Sequence, residues 1–293
     1  MDRRSFLFTT GALLFTPARA RGSGFQDRLE RIIAGVPGSI GIYARLMNDA
    51  PPLYSHAANE SFPAASTIKL LIMLAAFDRQ DRNPETLRER VTVHRSDLVA
   101  GSPFLLNARG GETYTVEALL KPMIQLSDNS ASNALISHFG FEAINAAAGR
   151  YGLRDTRLKR HFLDYAAVVN HHENVTTPSD MGRLLFGIER GSREGLQTCA
   201  SARSCRAMIG IMLGQEDRGK IAAGIPASVA IANKTGEVNG VRNDISIVDP
   251  FGDTPFVLTV LTKNLRNHAA GVLAIKRIAR QIYAQVAAGD RNL

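Results

Sequence analysis

Hydrophobic and polar residues recur with regular periods along most of the chain, and these periods predict its elements. Residues 25–34 have the spacing of an amphipathic helix, and residues 39–47 (SIGIYARLM) alternate in part, as a strand does. A long amphipathic helix is predicted at 268–286. Three further strand-like runs precede it, at 228–234, 243–249 and 256–263.

The middle of the chain, from about 64 to 215, is mostly helical in pattern. Helices are predicted at 66–78, 115–125, 130–140, 141–152 and 178–191. Thr177 is a plausible N-cap for the last of these, with Pro178 at its first position. Strand material thus lies at both ends and helices lie between. We therefore expect an α/β (α+β) fold with a sheet built from both termini, flanked by helices, at about 25–60 and 216–293. An all-helical lobe at about 61–215 is inserted into it.

The first twenty residues, MDRRSFLFTTGALLFTPARA, have the layout of a secretory signal. Arg3 and Arg4 precede an apolar stretch that is too short to cross a bilayer, which needs about 20 apolar residues. The stretch ends in small residues at Ala18 and Ala20, and the twin arginine is typical of a Tat signal. We expect residues 1–20 to be removed, leaving residues 21–293 as one periplasmic or secreted domain. The alternative is a buried amphipathic first helix.

The composition is that of an ordinary globular protein, and the charge pattern indicates which classes of binding partner to expect. The formal net charge is +8, but the basic residues are scattered without a run, which argues against a nucleic-acid site. A small-molecule substrate, anionic groups or the cell wall fit such a surface better. His171 and His172 are adjacent and read as loop histidines, so neither a metal nor another cofactor is expected. Cys199 and Cys205 either close a small disulfide loop or remain thiols.

Candidate chemistry begins in FPAASTIKLLIML (62–74), where Lys69 stands in an otherwise apolar run three residues after Ser66. Residues at i and i+3 share a helix face. A serine in a first helical turn has unpaired backbone N–H groups beside it, and a lysine desolvated among apolar neighbours has a lowered pKa and acts as a base. Ser–Lys pairs perform acyl transfer without histidine. Alone, the pattern is more typical of a helix-capping serine and a surface lysine.

Two further motifs favour the catalytic interpretation. Ser127-Asp128-Asn129 lies at a predicted break between helices, and Lys234-Thr235-Gly236 ends a strand-like run. SxxK, SDN and KTG in this order are the motif set of class A β-lactamases and penicillin-binding proteins. From about residue 25 onward the chain resembles the class A β-lactamase family, most clearly over residues 101–136. The resemblance implies an antiparallel sheet, a monomer without cofactor, and a β-lactam or D-alanyl-type amide or ester as substrate.

The resemblance also implies a role for each motif residue. Ser66 would attack the carbonyl carbon, Lys69 would accept or relay its proton, and Ser127 would pass a proton to the leaving nitrogen. Asn129 would bind the substrate's side-chain amide and hold Lys69. Lys234 would supply a positive charge for the substrate carboxylate.

The strand that carries KTG would complete the site. Thr235 would donate its hydroxyl to the substrate carboxylate, and Gly236 would let the substrate approach the strand backbone. The backbone N–H of Glu237 would be the second oxyanion donor. Arg242 is either a second carboxylate anchor or an ordinary exposed strand arginine.

One part of the family pattern is missing. Class A enzymes clear the acyl-enzyme with a loop Glu in an E-x-x-L-N motif, and residues 157–178 contain no such motif. Counting back from Thr176 and Thr177 places Phe162 at the Glu position. Asp164 is the nearby acid that would replace it, or it is structural, paired with Arg160 or capping the loop.

Three functions follow from this pattern. The first is a β-lactamase with slow deacylation. The second is a related acyl-transfer enzyme, such as a D-alanyl peptidase or an esterase. The third is a penicillin-binding protein that is acylated once and held. All three need Ser66, Lys69, Ser127 and Lys234.

Overall fold

A computed structural model describes residues 23–48, 50–194 and 200–290. The helices are α1 (Ser23–Ala34), α2 (Lys69–Arg82), α3 (Val116–Gln125), α4 (Asn129–Phe139), α5 (Phe141–Arg150), α6 (Tyr165–Val169), α7 (Pro178–Glu194), α8 (Ala202–Leu213) and α9 (His268–Asp290). The strands are β1 (Ser39–Leu46), β2 (Tyr54–His56), β3 (Phe62–Pro63), β4 (Arg90–Thr92), β5 (Thr113–Thr115), β6 (Val175–Thr176), β7 (Ile231–Val238), β8 (Val241–Val248) and β9 (Phe256–Lys263). The predicted leader and Cys199 lie outside the described residues.

Strands from both ends of the chain form one five-stranded antiparallel sheet, in the order β2-β1-β9-β8-β7. This confirms the predicted α+β class and the sheet built from both termini. Residues 243–248 of β8 and 256–262 of β9 are buried. A strand covered on both faces can be apolar at nearly every position, which explains why β9 (FVLTVLTK) alternates so little in sequence. Strand β8 differs, because it also buries the polar residues Asn243, Asp244 and Ser246.

Apolar side chains pack on both faces of the sheet. One core lies between the sheet and the two terminal helices and includes Leu29, Ile42, Ile275, Ile278 and Ile282. The other core joins the sheet to the central helices, and every residue of α2 from Lys69 to Asp78 is buried. A helix that is apolar on all sides lies inside a protein, as α2 does here. Its buried first turn therefore holds Lys69 in the interior.

Element boundaries differ from the predicted ones at two places that matter for the site. A 3₁₀ turn, Ala65–Ile68, precedes α2, so the α-helix begins at Lys69 and not at Ser66. Strand β7 continues to Val238 because it pairs with β8 up to the Val238–Val241 register, so KTG lies inside the strand rather than at its end. The Thr177 cap is as predicted, since its Oγ1 accepts a hydrogen bond from Asp180 N at 3.1 Å.

Hydrophobic periodicity did not predict several short strands. Strands β2 to β6 have two or three residues each, too few to show a period. Within the described part of the chain, no helix is long and apolar enough to cross a membrane. Cys205 is buried in α8, and because Cys199 is not described, the disulfide stays a prediction.

Candidate active site

Ser66 lies in the tight turn that leads into α2. Its neighbour Ala65 has a left-handed backbone (φ 46°), an unfavourable conformation for a residue with a Cβ. The turn is fixed on one side by a hydrogen bond from Ala64 N to Asn174 O (2.8 Å) and internally by Thr67 N to Ala64 O (3.1 Å). The turn therefore presents Ser66 at a fixed position on the wall of a cleft.

Lys69 lies beneath Ser66 and is fully buried. Its Nζ lies within hydrogen-bonding distance of Ser127 O (2.6 Å), Ser127 Oγ (3.1 Å) and Asn129 Oδ1 (2.9 Å). Among the hydrogen bonds of the described residues, none joins Lys69 Nζ directly to Ser66. Burial, and then the nearby charge of Lys234, lower the pKa of Lys69 well below its ordinary value, although Asp128 opposes them. Lys69 is therefore suited to act as a neutral amine and accept a proton.

Ser127 connects α3 to α4 and also has a left-handed backbone (φ 57°). Asp128 holds this connection in place. Its Oδ1 caps α4 by accepting from Ala131 N (2.8 Å), and its Oδ2 accepts from Phe104 N (2.9 Å). Strained backbone of this kind persists where the surroundings impose it, often at functional sites. The result is a serine hydroxyl aimed between two lysines.

Lys234 is the second of these lysines. It is buried in β7, and its Nζ donates to Ser127 Oγ (3.1 Å) and Thr235 O (2.7 Å). Burial lowers the pKa of Lys234 to about 7, against the opposing charges of Asp244 and Asp217. Ser127 Oγ thus lies 3.1 Å from both Lys69 Nζ and Lys234 Nζ.

Gly236 brings β7 against the Ser66 turn. A Cβ at Gly236 would lie 2.9 Å from Ser66 N and 3.0 Å from Thr67 N, closer than side-chain carbons normally come. The Asn243 side chain on β8 donates to Pro63 O at 2.9 Å and ties the sheet to the same turn. The missing side chain therefore makes room for the turn, whereas the sequence analysis assigned that room to the substrate.

The cleft itself has a volume of about 620 Å³. Of the residues predicted for the site, it is lined by Ser66, Ser127, Asn129, Thr235, Gly236 and Glu237. Asn129 also fixes the opposite wall, since its Nδ2 donates to Ala100 O at 3.0 Å while its Oδ1 accepts from Lys69. The structure thus brings the three motifs together around one cleft.

Arg242 does not line this cleft. Its guanidinium donates to Val238 O (3.0 Å) and Val241 O (2.6 Å), and its Nε lies 3.6 Å from Glu237 Oε2. These contacts occupy Arg242 with the β7–β8 hairpin. Arg242 therefore stabilises the hairpin and does not face the cleft as an anchor for a substrate carboxylate.

A different cation, Lys220, lies beside the cleft and was missed by the sequence analysis. Its side chain is 3% exposed, and its Nζ lies 2.5 Å from Asp217 Oδ2 and 2.7 Å from Glu237 Oε1. In the sequence, Lys220 belongs to the polar stretch QEDRGK, where charged residues normally face solvent. Only the packing of this stretch on β7 shows that it is buried.

Phe162 lies on the other side of Lys69, whose Nζ is 4.4 Å from the centroid of the Phe162 ring. Asn133, which the sequence analysis also missed, holds the backbone at this point. Its Oδ1 accepts from Phe162 N at 2.7 Å, and its Nδ2 donates to Phe162 O at 3.3 Å. The ring is therefore fixed against the buried amine.

Asp164 does not reach the cleft of Ser66. Its Oδ1 caps α6 by accepting from Ala167 N at 2.9 Å, and the residue lines a separate cavity behind Phe162. It is not paired with Arg160, whose partner is Glu173 at 2.7 Å. Asp164 thus serves as a helix cap, and the geometry does not place it as a base for deacylation.

Comparison with known proteins agrees with this arrangement. A family model described as the β-lactamase enzyme family matches residues 24–286. The chain is 31% identical over 266 residues to β-lactamase Toho-1 of Escherichia coli, covering 87% of this chain and 88% of that protein. It is 29% identical over 273 residues to a β-lactamase of Streptomyces albus G, covering 86% and 82%.

Solved structures share the fold over nearly the whole chain. PBP-A superimposes with a TM-score of 0.80 at 26% identity, covering 90% of this chain and 96% of that one. The β-lactamase from Sphaerobacter thermophilus superimposes with a TM-score of 0.78 at 28% identity, covering 91% and 98%. Together with the three motifs around one cleft, these matches show that the chain belongs to the class A β-lactamase family of serine enzymes.

Proposed function

We propose that this protein opens β-lactams through an acyl-enzyme on Ser66 and releases the product slowly. The observation that carries the proposal is the position of Ser127 Oγ, 3.1 Å from the side-chain nitrogens of both buried lysines, in the cleft that Ser66 lines. Such an arrangement moves protons between a serine nucleophile and a leaving nitrogen.

Acylation uses the residues of the cleft in sequence. Ser66 Oγ attacks the carbonyl carbon, and its proton passes to the neutral amine of Lys69. The backbone N–H groups of Ser66 and Glu237 stabilise the oxyanion, since both residues line the cleft and Glu237 follows Gly236, which packs against the Ser66 turn. When the C–N bond breaks, Ser127 gives its proton to the leaving nitrogen and takes one from Lys69. The substrate carboxylate binds to Lys234 and Thr235.

Deacylation lacks a carboxylate base in this arrangement. Phe162 takes the position that the family gives to its loop Glu, and its ring contacts Lys69. Loss of a general base costs about 10²–10⁴-fold in rate, or about 3–5 kcal/mol of activation free energy. We therefore expect the acyl-enzyme to accumulate.

The likeness to PBP-A favours a second candidate. One solved structure of that protein is an acyl-enzyme complex of its L158E mutant with penicillin G. By this second candidate, the present chain is a D-alanyl peptidase or an esterase, or a penicillin-binding protein that stays acylated. The same four residues, Ser66, Lys69, Ser127 and Lys234, form the acyl-enzyme in either case.

Intact-protein mass spectrometry after mixing with benzylpenicillin tests the acyl-enzyme. We expect the mass of one whole penicillin to be added to the wild-type protein and nothing to be added to Ser66→Ala. Lys69→Met, which keeps an apolar side chain of similar length, should acylate about 10²–10⁴-fold more slowly. If the wild-type protein shows neither adduct nor turnover, the proposal is wrong.

Residues 1–20 fit an export signal, and we propose that they direct the folded, monomeric enzyme to the periplasm or outside the cell. The twin arginine at Arg3 and Arg4 supports a Tat route. Replacing both with lysine should retain the protein in the cytoplasm. Export unchanged by that replacement would contradict the Tat route.

A further inference from the structure

At the edge of the cleft, a carboxylate of the protein itself, that of Glu237, forms an ion pair with the buried cation Lys220. Glu237 lines the cleft with its side chain 46% exposed, and its Oε1 lies 2.7 Å from the buried Nζ of Lys220. Asp217 Oδ2 lies 2.5 Å from the same ammonium. Lys220 thus has two carboxylate partners before any substrate binds.

The charges of this cluster strengthen the contact. Burial by itself lowers the pKa of Lys220, but hydrogen bonds and charges from Asp217 and Glu237 outweigh it and raise the pKa. For Asp217, burial raises the pKa, and contacts with Lys220, Gly219 and Thr235 outweigh it and lower the pKa. Lys220 therefore stays positively charged. The two carboxylates beside it, Asp217 and Glu237, together carry more negative charge than Lys220 carries positive charge.

A substrate carboxylate held by Lys234 and Thr235 would lie next to this cluster. Thr235 and Glu237 are two residues apart on β7 and therefore point to the same side of the strand. An incoming carboxylate would meet the Glu237 charge and compete with it for Lys220. Like charges brought together in this way oppose binding.

We infer that Glu237 is a specificity-determining residue that occupies a carboxylate position beside Lys220 and favours acyl donors whose leaving side is uncharged. The inference rests on the proposed function, because it concerns the same cleft. Substrates of this class are esters or amides without a free carboxylate at that point. Acidic β-lactams bind with their carboxylate at Lys234 and Thr235, against the negative charge of the neighbouring Glu237 side chain.

The test compares benzylpenicillin with its methyl ester, which differ only in the charge of the carboxyl group. Binding is measured by calorimetry in Ser66→Ala protein, where no acylation interferes, with and without Glu237→Gln. We expect Glu237→Gln to tighten benzylpenicillin binding about fivefold to tenfold and to leave the methyl ester unchanged. In the parent Ser66→Ala protein, the ester should bind at least as tightly as the acid.

Glu216→Gln is the matched control, because Glu216 also borders the cleft but has no ion pair among the described residues. It removes the same charge and should change the acid-to-ester ratio by less than about twofold. An unchanged ratio in Glu237→Gln, or an equal change in Glu216→Gln, would overturn the inference. Either result is distinct from failure of the proposed function, which is read from acylation of protein that retains Ser66.

Discussion

Lys69 Nζ lies 4.4 Å from the centroid of the Phe162 ring, in a contact that closes one side of the buried amine. The ring excludes water from that side, and Asn133 fixes the loop backbone that carries it. Lys69 therefore meets Ser127 and Asn129 on one side and an apolar surface on the other. A residue with a carboxylate at position 162 would instead face the amine directly.

Replacing Phe162 with Glu should speed deacylation. The carboxylate would take the place of the ring beside Lys69 and would supply the base that the proposed slow deacylation lacks. We expect the steady-state rate with benzylpenicillin to rise about 10²-fold or more, the lower end of a general base's contribution. Phe162→Gln, of equal length but without a base, should leave the rate unchanged. If Phe162→Glu is no faster than Phe162→Gln, position 162 is not where deacylation is limited.

Asp164 should matter for stability and not for turnover. Asp164→Ala removes the α6 cap and should lower the free energy of unfolding by about 0.5–2 kcal/mol in urea denaturation, whereas Asp164→Asn keeps the cap and should lose little. Neither variant should change the deacylation rate by more than about twofold. A large fall in that rate in both variants would restore Asp164 as the base.

Acylation by an acidic β-lactam should weaken as the pH rises through about 7. The pKa of Lys234 is lowered to about 7 by burial, so its positive charge is present below that pH and lost above it. We expect KM for benzylpenicillin to rise on the alkaline side, while KM for the methyl ester stays level. In Lys234→Arg the guanidinium stays charged, so the rise should move out of the measured range. The same rise in Lys234→Arg would assign it to another group.

The sequence indicated the centre of the site because its chemistry is local and unusual. A lysine in an apolar run, three residues after a serine, has few structural explanations once SDN and KTG follow. The sheet from both termini was also predictable, since β9 is a long run of β-branched and other apolar residues and β8 ends in the apolar-rich run ISIV.

Contacts between distant segments were not predictable. Lys220 and Asn133 are ordinary polar residues in sequence, and they gain their roles only when they pack against Glu237 and Phe162. The extension of β7 through KTG likewise depends on pairing with β8, not on the residues of β7 alone. The sequence left Asp164 open between a base and a structural role, because sequence distance gives no side-chain direction, and the structure shows the cap.

The time course of a chromogenic cephalosporin, followed by stopped flow, tests the central claim most directly. A Ser66 acyl-enzyme with slow deacylation predicts a burst of one product per enzyme, followed by a much slower linear phase. Ser66→Ala should show neither phase. A linear course from the first turnover at about 10 s⁻¹ or faster, the rate of an ordinary efficient enzyme, would contradict the account.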